Sequence, residues 1–294
     1  MRVSVVLPVR DGARYVRAAL DSVLGQTLED LEVIVVDDGS TDETPSILGA
    51  YDDARLRVVG RPARGLVPAL NEGFALARAP LVARMDADDV SAPTRLERQV
   101  AWMNASQHLG MVASWSVVVD EHDRELRREL LPSEPSDLAR RLLLRNPFRH
   151  GSAVLRKAAV DAVGGYRASY GHNEDYDLWR RLVGAGWELG AVPEFLYRYR
   201  SHGASVTNTD PRRRDERERL RDELWAARLG DRYRVREVVR SGGRYRRGFG
   251  SAGPEVARGH LADQRALVRE AVGRRRPLLA AKALVAATML ARRS

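Results

Sequence analysis

Three carboxylates fall within four positions at the end of an apolar run in "LVARMDADDVSAP" (81–93): Asp86, Asp88 and Asp89. Like charges this close repel, and burying any of them without a partner is costly. Hard oxygen ligands on a tight loop suit a divalent cation such as Mg2+ or Mn2+, which in turn clamps phosphate oxygens and offsets the repulsion. The competing reading is a solvated acidic turn in which Asp89 or Ser91 caps the next helix. A calcium loop of the EF-hand type is poorly matched, because Val90 stands where a third ligand belongs and the sharp turn has no glycine.

A second acidic pair, Asp37 and Asp38, ends the run "VVDDGSTDET" (35–44). A carboxylate there can accept hydrogen bonds from a base N–H or from ribose hydroxyls, as acidic residues do at other nucleotide sites. Ser40, Thr41 and Asp42 equally suit a helix-capping turn. Two such ends in one layer are less easily accidental than either alone.

The elements that must position these groups follow from periodicity. "VSVVLPV" (3–9), "LEVIVVD" (31–37), "LRVVG" (56–60) and "LVARM" (81–85) read as buried strands. Helical spacing over 13–26, from Thr41 or Asp42 through Ala50, and over 65–79 separates them, with Pro68 tolerable in a first turn. Strand alternating with helix predicts a doubly wound parallel sheet, in which ligands sit at the carboxyl ends of strands. Farther on, a helix over 93–107, strands over 111–120 and 126–131, a helix over 136–145, a strand over 152–157, a helix over 174–186 and a strand over 194–201 are expected.

Composition sets the outer bounds. At 294 residues the chain has room for one large α/β domain with an appendage, and it contains no cysteine, which excludes disulfides and thiolate metal sites. "MRVSVVLPVRDG" does not read as a signal peptide, and no window reaches the roughly 18 apolar residues of a membrane span. A cytoplasmic protein is expected. The net charge of +9 is unevenly spread: −4 over residues 1–100, +1 over 101–200 and +12 over 201–294. Attraction to polyanions or anionic lipid therefore belongs to the last third.

Taken together, "VSVVLPVRDG", "VIVVDDGSTDET", "GLVPALNEG" and "ARMDADD", followed by "NPFRHGSAVLRK", "VGGYR" and "NEDYDLWRRLVGAG", resemble in order and spacing the family 2 glycosyltransferases with the GT-A fold. The resemblance spans about residues 1–205. It implies a Rossmann-like, mostly parallel sheet flanked by helices, divided into a nucleotide-sugar-binding half (1–107) and an acceptor half (108–205). A basic, mainly helical extension (206–294) follows. It also implies an inverting enzyme that uses Mn2+ or Mg2+ to move a single sugar from a nucleoside-diphosphate sugar, UDP or dTDP before GDP, to a hydroxyl acceptor.

The residues that would carry this chemistry are implied by the same likeness. Pro8 and Asp11 would line the base from the turn after the first strand, Asp38 would hold the base, and Asp86 the ribose. Asp88 would ligate the metal, with His202 of "YRYRSHGAS" near the phosphates or metal. Asp175 of "NEDYD" matches the catalytic base, with Glu174 adjacent and His150 and His172 on the acceptor side. A carboxylate is the right type of group to deprotonate a hydroxyl, and a helix N-terminus favours its charged form. In "PALNEG", Leu70 replaces the arginine common before that asparagine, which removes one phosphate contact. No QxxRW motif of processive synthases is present.

The tail "RRRPLLAAKALVAATMLARRS" (274–294) is too short to span a bilayer. It suits either a peripheral site at the inner face of an anionic membrane, close to a lipid-linked acceptor, or a helix packed on the domain or on a second subunit. Two other functions compete: a nucleotide-sugar-binding or scaffolding protein that keeps the fold without catalysis, and a nucleic-acid-binding protein. The second lacks a recognisable reader motif. "PVRDGARY" has no G-x-G-x-x-G, which argues against a dinucleotide oxidoreductase.

Overall fold

In the structure, a computed structural model, the described residues are 1–142, 145–170, 173–203 and Leu220. The chain divides into two compact units, one of residues 1–142 with 146–213 and one of 143–145 with 214–294. The first unit holds everything below. The proposed helical extension and the basic tail lie outside the described residues, as does His172.

Strand β1 (Val3–Val9) is buried along its whole length, as is β2 (Leu31–Asp37), because helices cover both faces of the sheet. The one early polar residue is satisfied: the Ser4 hydroxyl donates to Glu32 Oε1 at 2.6 Å, and Arg78 pairs with the same carboxylate at 2.8 Å. Helix α1 (Val16–Leu24) buries Val16, Ala19, Leu20 and Val23, the 3–4 spacing of one face. Helix α2 (Thr44–Gly49) starts later than its Ser/Thr/Asp cluster suggests. Those side chains serve the preceding turn instead, Asp42 accepting from Ala13 N at 3.0 Å as well as from Thr44 N at 2.9 Å.

β3 (Leu56–Gly60), α3 (Leu66–Leu76) and β4 (Leu81–Arg84) complete the first half. Here β2 pairs parallel with β1 and β3, and β1 pairs parallel with β4. Then come β5 (Val90–Ser91), α4 (Arg95–Ala105), β6 (Leu109–Val119), β7 (Glu125–Glu129), α5 (Pro135–Leu142), β8 (Val154–Arg156), α6 (Lys157–Ala162), α7 (Glu174–Gly184) and β9 (Glu188–Arg200).

The strands form one sheet in the order β3-β2-β1-β4-β8-β6-β9-β5, with β7 on β6. The second half is mixed: β8 runs antiparallel to β4 and β6, β6 runs parallel to β9, and β5 runs antiparallel to β9.

Three elements differ from expectation. Val90–Ser91, expected as loop, pairs with Tyr197 and Arg198. Helix α6 was not anticipated. Strand β9 begins six residues earlier than expected, at Glu188, and it absorbs Pro193 in a register shift between Val192 and Phe195 opposite Ser114 and Trp115. A residue without an N–H is tolerated in a strand at such a bulge. Tyr197 and Arg200 of β9 end close to the acidic turn after β4, and so β9 carries site residues from 110 positions downstream.

Candidate active site

The carboxyl ends of β1 and β2 are stapled together by side chains. Asp11 N donates to Ser40 Oγ at 2.9 Å, Gly12 N to Thr44 Oγ1 at 2.9 Å, and Thr41 N to Asp11 Oδ1 at 2.8 Å. Asp11 adopts φ 49°, a left-handed conformation that Asp tolerates in turns. Pro8 is not in that turn: it lies inside β1, paired with Val36. Val9 O and Asp38 N meet at 2.8 Å, so alternation aims the Pro8 nitrogen at the β4 side, where the ladder has already ended at Val6 and Arg84. The missing donor costs nothing there.

Asp38 is buried and densely bonded. Its Oδ1 accepts from Arg61 Nη2 and Arg64 N, both at 2.8 Å, and its Oδ2 from Gly65 N at 2.7 Å. Gly65 has φ 97°, which lets the chain turn its amide onto the carboxylate before α3 begins. One lone pair of Oδ2 remains to accept a donor from a ligand. Leu70, on α3, is fully buried. No cation projects from that position.

After β4 the three carboxylates are given three different partners. Asp86 takes Arg84 Nη2 at 2.6 Å, a guanidinium that is itself 2% exposed and also donates to Met85 O. Asp88 Oδ2 meets His202 Nε2 at 2.9 Å. Asp89 accepts Arg200 N at 2.6 Å, while Arg200 Nε donates to Asp88 O at 2.9 Å. Burial, together with the Asp86 charge, pushes the Asp88 carboxyl above its usual range. Burial and the charges of Asp86 and Asp88 push Asp89 well above it. The repulsion evident in the sequence is thus only partly compensated by the protein.

Asp88 and His202, hydrogen-bonded to each other here, are of the ligand types that could hold a cation. The 2.9 Å between Oδ2 and Nε2 matches the edge of an octahedron with bonds of about 2.1 Å, for which adjacent ligands are about 3 Å apart. Among the described residues no group of three or more such ligands converges. A cation such as Mg2+ fits on one or two protein ligands when substrate phosphates complete its shell. The Tyr15 ring lies against His202 at 5.3 Å, and the Arg200 guanidinium covers Tyr15 at 4.8 Å.

The other wall comes from α7. Asp175 lies in its first turn and is 6% exposed; Oδ2 accepts from Asn146 Nδ2 at 2.5 Å and Oδ1 from Tyr176 N at 2.7 Å. Glu174 Oε1 is 3.4 Å from His150 Nδ1. Burial and the Arg84 charge hold the His150 pKa down at about 4, so the ring is neutral at pH 7 and this contact is not an ion pair. Helix α7 is fastened by Trp179, which is fully buried, and by Arg181, which pairs with Asp177 at 2.7 Å and donates to Val163 O and Gly165 O.

The turn 150–152 joins the two walls. A Cβ on Gly151 would stand 1.8 Å from the Tyr197 hydroxyl and 2.5 Å from Asp86 Oδ2, so only glycine permits this approach. His150, one residue earlier, faces Glu174. Asn146, Asn71, Tyr166 and Tyr197 were not singled out from the sequence. The motifs "NPFRH", "ALNEG" and "VGGYR" contained the first three, without a signal of which side chain would turn inward. Trp115 packs on Phe195 at 5.2 Å and donates to Leu131 O, a structural role. His108 and His122 are exposed.

Residues 4–164 match the model of a family described as "Glycosyl transferase family 2". The O-antigen biosynthesis glycosyltransferase WbnJ of Escherichia coli is 31% identical over 211 residues, covering 69% of this chain and 81% of that protein. Among solved structures, Staphylococcus aureus TarS (residues 1–349) in complex with UDP-GlcNAc aligns with a TM-score of 0.62 at 17% identity, over 99% of this chain and 90% of that one. The mannosyltransferase PcManGT of Pyrobaculum calidifontis, in complex with GDP-Man and Mn2+, aligns with a TM-score of 0.54 at 22% identity, over 98% and 75%.

Proposed function

The chain belongs to glycosyl transferase family 2, and from that premise we propose that it transfers a single sugar, with inversion, from a nucleoside-diphosphate sugar to a hydroxyl acceptor in the synthesis of a surface polysaccharide or glycoconjugate. The observation that supports this reading is the turn 150–152, where Gly151 abuts Asp86 and His150 faces Glu174, the residue before Asp175.

On the donor side, the free lone pair of Asp38 Oδ2 suits the N3–H of a pyrimidine base, which favours UDP or dTDP. Asp86, with one oxygen on Arg84, would accept from ribose hydroxyls. Asp88 and His202 would hold Mn2+ or Mg2+, and the bound cation would supply Lewis-acid stabilisation of the departing diphosphate. Burial first, and the neighbouring carboxylate charges second, raise the proton affinity of Asp88 and Asp89, and such a cation would relieve the second.

On the acceptor side, Asp175 removes the hydroxyl proton while the acceptor oxygen attacks the anomeric carbon. The bond to the diphosphate oxygen breaks with its electron pair, leaving the nucleoside diphosphate and a protonated Asp175. A base and a leaving group on opposite faces of the sugar give inversion. WbnJ, an O-antigen biosynthesis glycosyltransferase, supports a surface-polymer acceptor. Catalysis is proposed to take place in the cytoplasm. No helix among the described residues is long and apolar enough to cross a membrane.

Calorimetric titration of UDP, dTDP, GDP and their sugars, with and without Mn2+, tests the donor site in wild type and Asp88→Ala. The expected result is metal-dependent binding of one nucleotide, lost in the variant. Absence of nucleotide binding by the folded wild type would overturn the reading. Asp175→Ala that binds donor but does not turn over excludes a scaffold that merely keeps the fold.

A further inference from the structure

The His150 ring is enclosed by Tyr166, at 5.4 Å between centroids, and by the edge of Trp179 at 6.0 Å, and only 10% of its side chain is exposed. Its two nitrogens face different groups: Nε2 lies 2.9 Å from the Tyr166 hydroxyl and Nδ1 3.4 Å from Glu174 Oε1. Tyr166 is itself held across the molecule by Asn71 of α3. Its N–H donates to Asn71 Oδ1 at 3.0 Å, and Asn71 Nδ2 donates to its carbonyl at 2.9 Å. Gly165 makes that approach possible, with φ 68° and a virtual Cβ 3.0 Å from Asn71 Oδ1.

We infer that Asn71, Tyr166 and His150 form a positioning relay for Glu174, in which the phenol donates to Nε2, the imidazole carries its single proton on Nδ1, and that N–H faces the Glu174 carboxylate. An ionised carboxylate only accepts hydrogen bonds, so a nitrogen lone pair turned toward Oε1 would be repelled while an N–H is attracted. The phenol keeps its proton, since burial pushes the Tyr166 pKa upward. The ring carries one proton, since burial and Arg84 push its pKa down. The orienting of one protonated nitrogen by the group on the other is a general device for fixing a histidine tautomer.

The consequence is a Glu174 carboxylate held in one rotamer next to Asp175, as an acceptor for a hydroxyl of the sugar being transferred or of its acceptor. The relay starts on α3, whose N-terminus abuts the Asp38 loop, and therefore ties the nucleotide-binding half to the base. This consequence rests on the proposed sugar transfer, whereas the placement of the proton does not.

The test uses the full chain labelled with 15N-histidine at pH 7, with the His150 signals assigned by their loss in His150→Gln. The expected result is a neutral ring protonated on Nδ1, whose shifts in Tyr166→Phe move to those of a mixed tautomer population. Tyr166→Phe keeps the ring contact with Phe74 at 5.5 Å, so the fold is retained. A wild-type ring protonated on Nε2, or on both nitrogens, overturns the relay. With the donor found in the nucleotide titration, Tyr166→Phe is expected to lower kcat roughly tenfold or more with donor KM unchanged, as misplacement of a reacting group does. A raised KM at unchanged kcat would overturn the positioning role. If no nucleotide binds to wild type, the sugar-transfer reading fails while the ring shifts still decide the relay.

Discussion

The donor wall and the acceptor wall hold their carboxylates by different means. Asp11, Asp37, Asp38 and Asp89 are fastened by main-chain amides of neighbouring turns and strands, Thr41, Ser40, Arg64 with Gly65, and Arg200, whereas Asp86 and Asp88 meet the Arg84 and His202 side chains. Asp175 takes one amide from its own helix and also an Asn146 side chain, and Glu174 is faced by the His150 side chain. Amide-held groups move only if the backbone moves. Side-chain-held groups can be released one substitution at a time. The amide-held donor carboxylates are therefore expected to be robust to changes in partner residues, and Asp86, Asp88 and the acceptor side to be adjustable without loss of the fold.

The largest expected effect is on chemistry. Asp175→Asn keeps the Asn146 contact and the helix but cannot take a proton, so turnover should fall by about 100- to 10,000-fold with donor affinity retained. Parallel loss of donor binding would mean that the two walls are not separable. Next in size, Asp38→Ala leaves the Arg61 guanidinium, 9% exposed, without its buried partner and frees the amides of Arg64 and Gly65. A stability loss of about 3 kcal/mol is expected in denaturant unfolding. A near-neutral result would show that Glu72, at 3.0 Å from Arg61, suffices.

Gly151→Ala probes the joint between the walls, with a cost of roughly 1–3 kcal/mol from overpacking against Tyr197. Adding Tyr197→Phe should recover part of it, and an unaffected melting temperature would place the turn farther from Asp86. Asn146→Ala should lower kcat and cost about 1.5–3 kcal/mol in unfolding, because it removes a hydrogen bond to a carboxylate. A donor-binding defect instead would contradict the separation of the walls.

The smallest effect concerns pH. The folded Asp89 binds its proton more tightly than the unfolded chain does, since burial and the neighbouring carboxylates raise its pKa. Its contribution is fully present below the ordinary carboxylate range and is lost as pH rises toward the elevated folded value. Asp89→Asn, whose amide oxygen can still accept Arg200 N, should flatten that decline in melting temperature. An unchanged slope would show that Asp89 does not carry it.

The donor wall was largely legible in the sequence because each of its parts is local. Runs of Val, Ile and Leu mark buried strands, and the residues after them are at the sheet's carboxyl edge by topology alone. The detail inside that wall was not. Ser40, Thr41 and Asp42 read as a helix cap, yet they bond to the turn after β1, since a hydroxyl or carboxylate cannot announce which amide it will meet. The rest depends on pairs far apart in the chain, Asp88 with His202 on the donor side and Asn71 with Tyr166 and Asn146 with Asp175 on the acceptor side, separated by 114, 95 and 29 residues. Periodicity has no reach over such distances, and only the family resemblance suggested Asp175 and His202. Strand β9 was cut short by Gly190 and Pro193, which ordinarily end strands and here sit beside a bulge.

The central claim is that Asp175 and the departing diphosphate lie on opposite faces of the transferred sugar. It is tested most directly by proton NMR of the glycoside formed from an α-linked nucleotide sugar, with Asp175→Asn as the blank. Opposed groups predict a β-configured anomeric centre, absent from the variant. An α-configured product, or equal turnover by Asp175→Asn, would contradict the assignment of the base and the inverting mechanism together.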